Sequence, residues 1–155
     1  MLKKIIITLT LTSLLMTTVA KAETVFHDTA GRPATAYKNK WVIVNYWAPW
    51  CEVCQQEVPE LNRFAANMEN KNVAVYGVDL DLPELERLQV AANQTGVTYP
   101  VLTQDPGDLW KLGEVSVLPT SFIVNPEGVV VKKIVGAVTE TELLATLTQL
   151  HAVIG

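Results

Sequence analysis

Trp47-Ala48-Pro49-Trp50-Cys51-Glu52-Val53-Cys54 carries the only two cysteines of the 155-residue chain, spaced C-x-x-C. Immediately before it runs Trp41-Val42-Ile43-Val44-Asn45-Tyr46, apolar and β-branched, as a buried strand should be. Immediately after it, Val58, Leu61, Phe64, Ala65 and Met68 recur at intervals of three and four, the period of one helix face. The reading is strand, short loop, helix. Two thiols at this spacing can close a small ring if the first lies at the helix N-terminus and the second one turn on. Cys51 would then face solvent, with Cys54 beneath it. The unpaired N–H groups and positive partial charge of a helix N-terminus stabilise an anionic sulfur and lower its pKa. Cys51 is therefore the candidate nucleophile and Cys54 the resolving thiol.

From about Lys40 to Leu150 the chain resembles the thioredoxin-fold thiol-disulfide oxidoreductases, and among them the TlpA/ResA-like branch of exported proteins. The resemblance implies an α/β thioredoxin fold: a central mixed β-sheet with helices on both faces, plus the insertion of that branch. Thioredoxins proper carry a buried aspartate six residues before the first active-site cysteine. Asn45 stands there, as in the TlpA/ResA-like branch, and an amide cannot take a proton from Cys54. Glu57 lies three residues after Cys54 on the same side of the helix. Spacing alone leaves it open whether Glu57 is a solvated surface group; the resemblance implies an acid-base group beside the thiols. Pro59, five residues after Cys54, also matches the family, and a kink is expected there.

The remaining segments follow the same order. Val73 to Asp79 reads as a parallel strand, apolar on both faces. Pro83 to about Thr95 reads as a helix with proline in its first turn and Gly96 past its end. Val97 to Leu102 looks like a short edge strand, because it contains Pro100; with the helix before it, this matches the extra element of the TlpA/ResA-like branch. Gly107 to Lys111 reads as a short helix. Leu118-Pro119 falls where the family has a cis proline against the disulfide, and the sequence alone leaves its isomer open. Ser121 to Val124 and Val129 to Ile134 flank the turn Asn125-Pro126-Glu127-Gly128 as a hairpin. Thr139 to Leu150 reads as a closing helix, capped by Thr139 with Glu142 three residues on.

The N-terminus reads as an address. Met1-Leu2-Lys3-Lys4 is basic, Ile5 to Val19 mostly apolar, and Ala20-Lys21-Ala22 has the small-x-small form of a cleavage site. The expectation is a signal peptide over 1–22 and a single thioredoxin-like domain over 23–155, placed in the periplasm or otherwise exported. The alternative is an uncleaved anchor, weakened by the threonines and Ser13 that interrupt the apolar run. The chain carries a net charge of −4, and loss of Lys3, Lys4 and Lys21 makes it more acidic. Without a basic stripe it is a poor partner for nucleic acid. Outside the cytosol structural disulfides are common, but a bridge across two residues removes little unfolded-state entropy, so a redox role is the better reason for this pair.

The resulting expectation is an exported protein-disulfide reductase working through Cys51, Cys54 and Glu57 without a cofactor. Trp50 would shield the dithiol, and the Leu118-Pro119 loop would align the incoming chain. Glu52 and Glu57 put negative charge near the thiolate and favour a reductant. The resemblance implies cysteine-bearing exported clients, with apocytochrome c, in cytochrome c maturation, the best-known case, and a membrane thiol reductase of the DsbD/CcdA kind as electron donor. Three alternatives remain open. Disulfide exchange could run in the oxidising or isomerising direction. Peroxiredoxins share the fold but carry Thr or Ser three residues before their cysteine, where Ala48 stands here. A non-catalytic or metal-carrying domain has only His27 and His151 to add to the two cysteines, which is no zinc spacing.

Overall fold

The run Trp41–Trp47 becomes a strand in which all seven residues are buried. The computed structural model describes residues 25–34 and 39–150; the expected signal segment 1–22 and His151 lie outside them. In chain order the elements are β1 (Phe26–His27), β2 (Pro33–Ala34), β3 (Trp41–Trp47), α1 (Glu52–Met68), β4 (Val73–Asp79), α2 (Leu85–Thr95), β5 (Thr120–Val124), β6 (Val130–Val135) and α3 (Glu140–Gln149). The main sheet has the order β4-β3-β5-β6. β3 runs parallel to β4 and antiparallel to β5, so the sheet is mixed and β3 is interior. A strand buried on both faces must be apolar throughout, which is why this run shows no alternation.

Alternate residues of β3 serve two cores. Trp41 and Ile43 pack with Leu61, Phe64 and Met68 of α1 and Leu143 and Leu147 of α3. Further along the same face, Trp47 packs with both cysteines and with Leu88, Ala91 and Ala92 of α2. Val42, Val44 and Tyr46 face the other way, toward Phe26, Trp110, Leu112 and Phe122. There Phe26 of the β1–β2 hairpin meets Trp110 edge-on, ring centroids 5.4 Å apart.

That second layer differs from expectation. Gly107 to Lys111 forms turns, closed by Trp110 N–H to the Pro106 carbonyl and Leu112 N–H to that of Gly107. Lys111 at φ 52 and Gly113 at φ 93 lie in the left-handed region, which a right-handed helix cannot contain. Among the described residues, α1, α2 and α3 thus pack with Trp41, Ile43 and Trp47, and the hairpin and these turns cover the side of Val42, Val44 and Tyr46. Val97 to Leu102 is likewise reduced to two bridges, Val101 parallel to Gly77 and Leu102 antiparallel to Asp28, at the outer edge of β4. Pro100 has no N–H to extend the pairing. Pro83 precedes α2 instead of entering it, with Glu84 at the N-cap, while Gly96 at φ 77 ends that helix as expected. α1 continues through Pro59, and α3 carries the expected Thr139–Glu142 capping box.

Gly77 is fixed by space. A Cβ added to it would lie 3.0 Å from both Trp47 Nε1 and Tyr99 Cε2 and 3.3 Å from Val101 Cγ2. Its N–H and C=O are also tied to Pro100 and Leu102 at 2.8 Å, so neither strand can draw back. Gly77→Ala should cost about 1–3 kcal/mol through overpacking. Urea unfolding of the oxidised protein measures this, and an unshifted midpoint would mean that the aromatic wall has room to give.

Candidate active site

β3 ends at Trp47, and the loop through Ala48, Pro49 and Trp50 delivers the chain to α1 with Cys51 at its N-cap. The Cys51 Sγ accepts the N–H of Cys54 at 3.2 Å, one of the donors that a helix start leaves unpaired. Cys51 and Cys54 are joined in a disulfide, their Cα atoms 5.2 Å apart. Cys54 is 1% exposed and Cys51 only 8%. The order of access is the expected one, but the outer sulfur is far more covered than a solvent-facing group would be, because the loop from β3 folds back and Cys51 N–H bonds the Ala48 carbonyl.

Two expected flanking groups behave differently from each other. Leu118 packs against the cluster that holds both cysteines, and the Leu118–Pro119 bond is cis. Pro119 is buried and its carbonyl accepts from Gly136 N–H at 2.8 Å, which ties this loop to the end of β6. Trp50, expected to shield the dithiol, is instead 64% exposed. Its indole N–H donates to Asp81 Oδ2 at 2.6 Å, holding the ring outward against the β4–α2 loop. That loop is organised by Asp79, which is 1% exposed and accepts the N–H of Asp81 through Oδ1 at 3.0 Å. Burial pushes the Asp79 carboxyl above its ordinary range, against the Asp81 N–H, which pulls it down, while the Asp81 charge pushes it up.

Glu57 is not a solvated group. It is 2% exposed, on the inner side of α1, one turn after Cys54. Oε1 accepts from Asn45 Nδ2 at 2.8 Å and Oε2 from the Val138 N–H at 3.0 Å. Burial raises its pKa from the ordinary 4.5 to about 7, against the two hydrogen bonds, which pull it down. Asn45, fully buried in β3, also donates to Ser121 Oγ at 3.1 Å and accepts from the Tyr99 hydroxyl at 3.2 Å. The arrangement is thus a disulfide at a helix N-terminus with a carboxyl behind it that exchanges its proton near neutrality.

Of the residues singled out from the sequence, Cys51, Cys54 and Leu118 share one cluster, Glu57 lies one turn further along the helix, and Trp50 stands at the rim. His27 is exposed on β1. Sequence reasoning missed Tyr99, Ser121, Asp79 and Asp81. Ser121 had a signal, since a strand paired with β3 must set some residue opposite Asn45, and in the register of β5 it is Ser121. Tyr99 had none, because it reaches Asn45 from a segment that forms only isolated bridges. Among the described residues no three His, Cys, Asp or Glu side chains cluster to hold a metal, and no helix is long and apolar enough to cross a membrane.

Comparison with known proteins gives the same picture. Residues 21–133 match the AhpC/TSA family. The thiol-disulfide oxidoreductase ResA of Bacillus subtilis (strain 168) is 31% identical over 119 residues, 76% of this chain and 66% of that protein. Across several ResA proteins the chain spans 61 to 69% of their length. Among solved structures, dsbF of MTB, determined in mixed oxidised and reduced forms, superposes with a TM-score of 0.65 at 26% identity, covering 82% of this chain and 94% of that one. StoA from Bacillus subtilis gives 0.65 at 22% identity, with 77% and 92% covered, and shares the fold. The sheet order, the C-x-x-C at the start of α1 and the match over most of the length agree: this chain belongs to the AhpC/TSA family and has the thioredoxin fold, with ResA-type thiol-disulfide oxidoreductases among its relatives.

Proposed function

We propose that the chain is a thiol-disulfide oxidoreductase that reduces disulfides of exported, cysteine-bearing proteins. The observation that carries this reading is the Cys51–Cys54 disulfide at the N-cap of α1, with the outer sulfur taking a backbone N–H. In the reduced protein the Cys51 thiolate attacks one sulfur of a partner disulfide, and the other sulfur leaves as a thiolate. Glu57 takes the proton of the Cys54 thiol. Cys54 then attacks Cys51 Sγ, closing the internal disulfide and expelling the partner's second sulfur. Two electrons pass to the partner, whose two thiolates take up two protons. Leu118 and Pro119 align the incoming chain beside the disulfide, and the exposed face of Trp50 gives it an apolar contact at the rim.

Export rests on the basic, apolar and small-x-small order of residues 1–22, with 23–155 as the working domain. In an oxidising compartment the pair must be re-reduced, which calls for a membrane thiol reductase of the DsbD/CcdA kind. Apocytochrome c is the client class that the resemblance suggests. The reducing direction is supported by Glu52, exposed between the cysteines in the first turn of α1, and by Glu57, both of which oppose a strongly stabilised thiolate. The peroxidase alternative is disfavoured by Ala48, which is buried and has no hydroxyl to offer a peroxide.

Cys51→Ser should abolish reduction of a protein disulfide such as that of insulin, whereas Cys54→Ser should accumulate partners as mixed disulfides on Cys51. Trapping by the Cys51→Ser variant alone would reverse the two roles, and thiol-dependent peroxide consumption would favour the other chemistry.

Glu57→Gln should slow release of the partner by roughly 100-fold or more, the usual worth of a positioned general base. Single-turnover kinetics on a preformed mixed disulfide reads this step directly, and an unchanged rate would remove Glu57 from it. Glu57 also predicts a pH dependence of stability. Its folded pKa, about 7, lies above the ordinary 4.5, so between those values the folded state holds the proton more tightly than the unfolded one. Its contribution is full below pH 4.5 and is lost as pH rises through 7. The oxidised wild-type protein should therefore lose on the order of 2–3 kcal/mol more than Glu57→Gln between pH 4.5 and 8. Parallel urea-derived stability curves for the two proteins would contradict the assignment.

A further inference from the structure

The buried amide of Asn45 can stand in two orientations, and the groups around it do not treat them equally. As found, Nδ2 donates to Glu57 Oε1 and Ser121 Oγ, and Oδ1 accepts from the Tyr99 hydroxyl. Turned over, the amide would present Oδ1 to Glu57, which then must be protonated to donate to it. Ser121 fits both orientations, because a hydroxyl donates as readily as it accepts. Tyr99 does not. Facing Nδ2 it would become an acceptor and strand its own O–H in the core, where it is 4% exposed and has Asn45 as its partner among the described residues.

We infer that Tyr99 is a positioning residue: by donating to Asn45 Oδ1 it holds the amide with Nδ2 toward Glu57, and so favours the ionised carboxylate over the protonated acid. Without this lock, burial would keep the proton on Glu57 to still higher pH, and less of the protein would carry the base. The lock persists across the working range, because burial, and next the charge of Glu57, push the Tyr99 phenol well above its ordinary pKa and keep it a donor. The titratable groups facing Glu57 are Tyr99 from the 97–102 segment and, once the disulfide opens, Cys54 one turn back on α1. The contacts from β3, β5 and the stretch before α3 come from Asn45, the Ser121 hydroxyl acting through it, and the Val138 N–H, none of which titrates.

This deepens the reading of Glu57 as proton acceptor, and the test separates the two claims. The carboxyl ¹³C resonance of Glu57, identified by its absence in Glu57→Gln, is titrated in the oxidised wild type, Tyr99→Phe and Ser121→Ala. With the Tyr99 hydroxyl gone, either amide orientation leaves one amide atom unpaired, so the preference disappears. The Tyr99→Phe midpoint should rise by about half to one pH unit, with that of Ser121→Ala not rising. An unmoved or lowered midpoint in Tyr99→Phe, or an equal rise in Ser121→Ala, overturns the inference. On an Asn45→Ala background the Tyr99→Phe change should move the midpoint no further; an undiminished shift there would mean that the phenol acts on Glu57 directly. Should Tyr99→Phe not fold, the wild type alone decides: the Asn45 amide protons must keep their Overhauser contacts to Ser121 on both sides of the midpoint, and a turn toward Tyr99 sinks the lock. A shifted Glu57 midpoint with an unchanged pH profile of partner release keeps the lock and removes Glu57 from the exchange.

Discussion

The 2.8 Å hydrogen bond from Asn45 to Glu57 joins the central strand to the helix that carries the cysteines, and much of the molecule is arranged around it. A carboxyl 2% exposed on the inner face of α1 is tolerable only where donors meet it. β3 supplies one from its interior, and the Val138 N–H, just before α3, supplies the other. To set Asn45 under α1, β3 must run through the middle of the sheet. The same strand, two residues later, reaches Trp47 and the loop that starts the helix at Cys51. The position of the proton site and that of the sulfur pair are consequences of one strand's register. Gly77 belongs to the same constraint, because it lies beside Asn45 in that register and leaves the space that Trp47 and Tyr99 occupy.

What was legible in the sequence were the features governed by periodicity and local chemistry. β3 and β4 run over the residues read from their apolar runs, α1 ends within a residue of its pattern, and the Thr139–Glu142 box caps α3. The failures share a cause. Gly107 to Lys111 and Val97 to Leu102 are short, and short segments are shaped by the groups they pack against, not by their own pattern. The outward hold on Trp50 was not legible because its partner, Asp81, lies 31 residues away on another loop. Glu57 shows the limit most sharply. Spacing put it on the side of Cys54, but its burial depends on Asn45 and Val138, which lie 12 and 81 residues away from it along the chain.

The rim of the site has a different character from its interior. Trp50 on the β3–α1 loop, Val53 on α1, and Leu80 and Leu82 on the β4–α2 loop are exposed apolar side chains, and Glu52, Asp81 and Glu84 on the same segments are exposed acids. Asp79 makes this loop rigid from beneath, since its side chain takes the Asp81 N–H and its carbonyl the Leu82 N–H at 3.0 Å. Asp81 in turn holds the indole of Trp50. A surface fixed in this way is pre-organised, which lowers the ordering cost when a flexible chain docks on it. For the reducing role proposed above, the acidity of the rim would matter as well, because negative charge near Cys51 raises the energy of a thiolate and favours giving up electrons.

The choice of an amide at position 45 decides how many protons the interior handles. A carboxylate there would face Glu57 at hydrogen-bond distance, and two acids so close titrate as a pair, with one pKa driven up and the other down. With Asn45 the cluster of Asn45, Ser121, Tyr99 and Glu57 holds one carboxyl, and its proton affinity is set by three influences that can each be traced to an atom. Burial raises it, and the donors from Asn45 and Val138 lower it. The amide is a donor to Glu57 only while it faces the right way, so its orientation carries part of the balance. A single acid held at about 7 can exchange its proton near neutral pH, which is what the role proposed for Glu57 beside the disulfide requires.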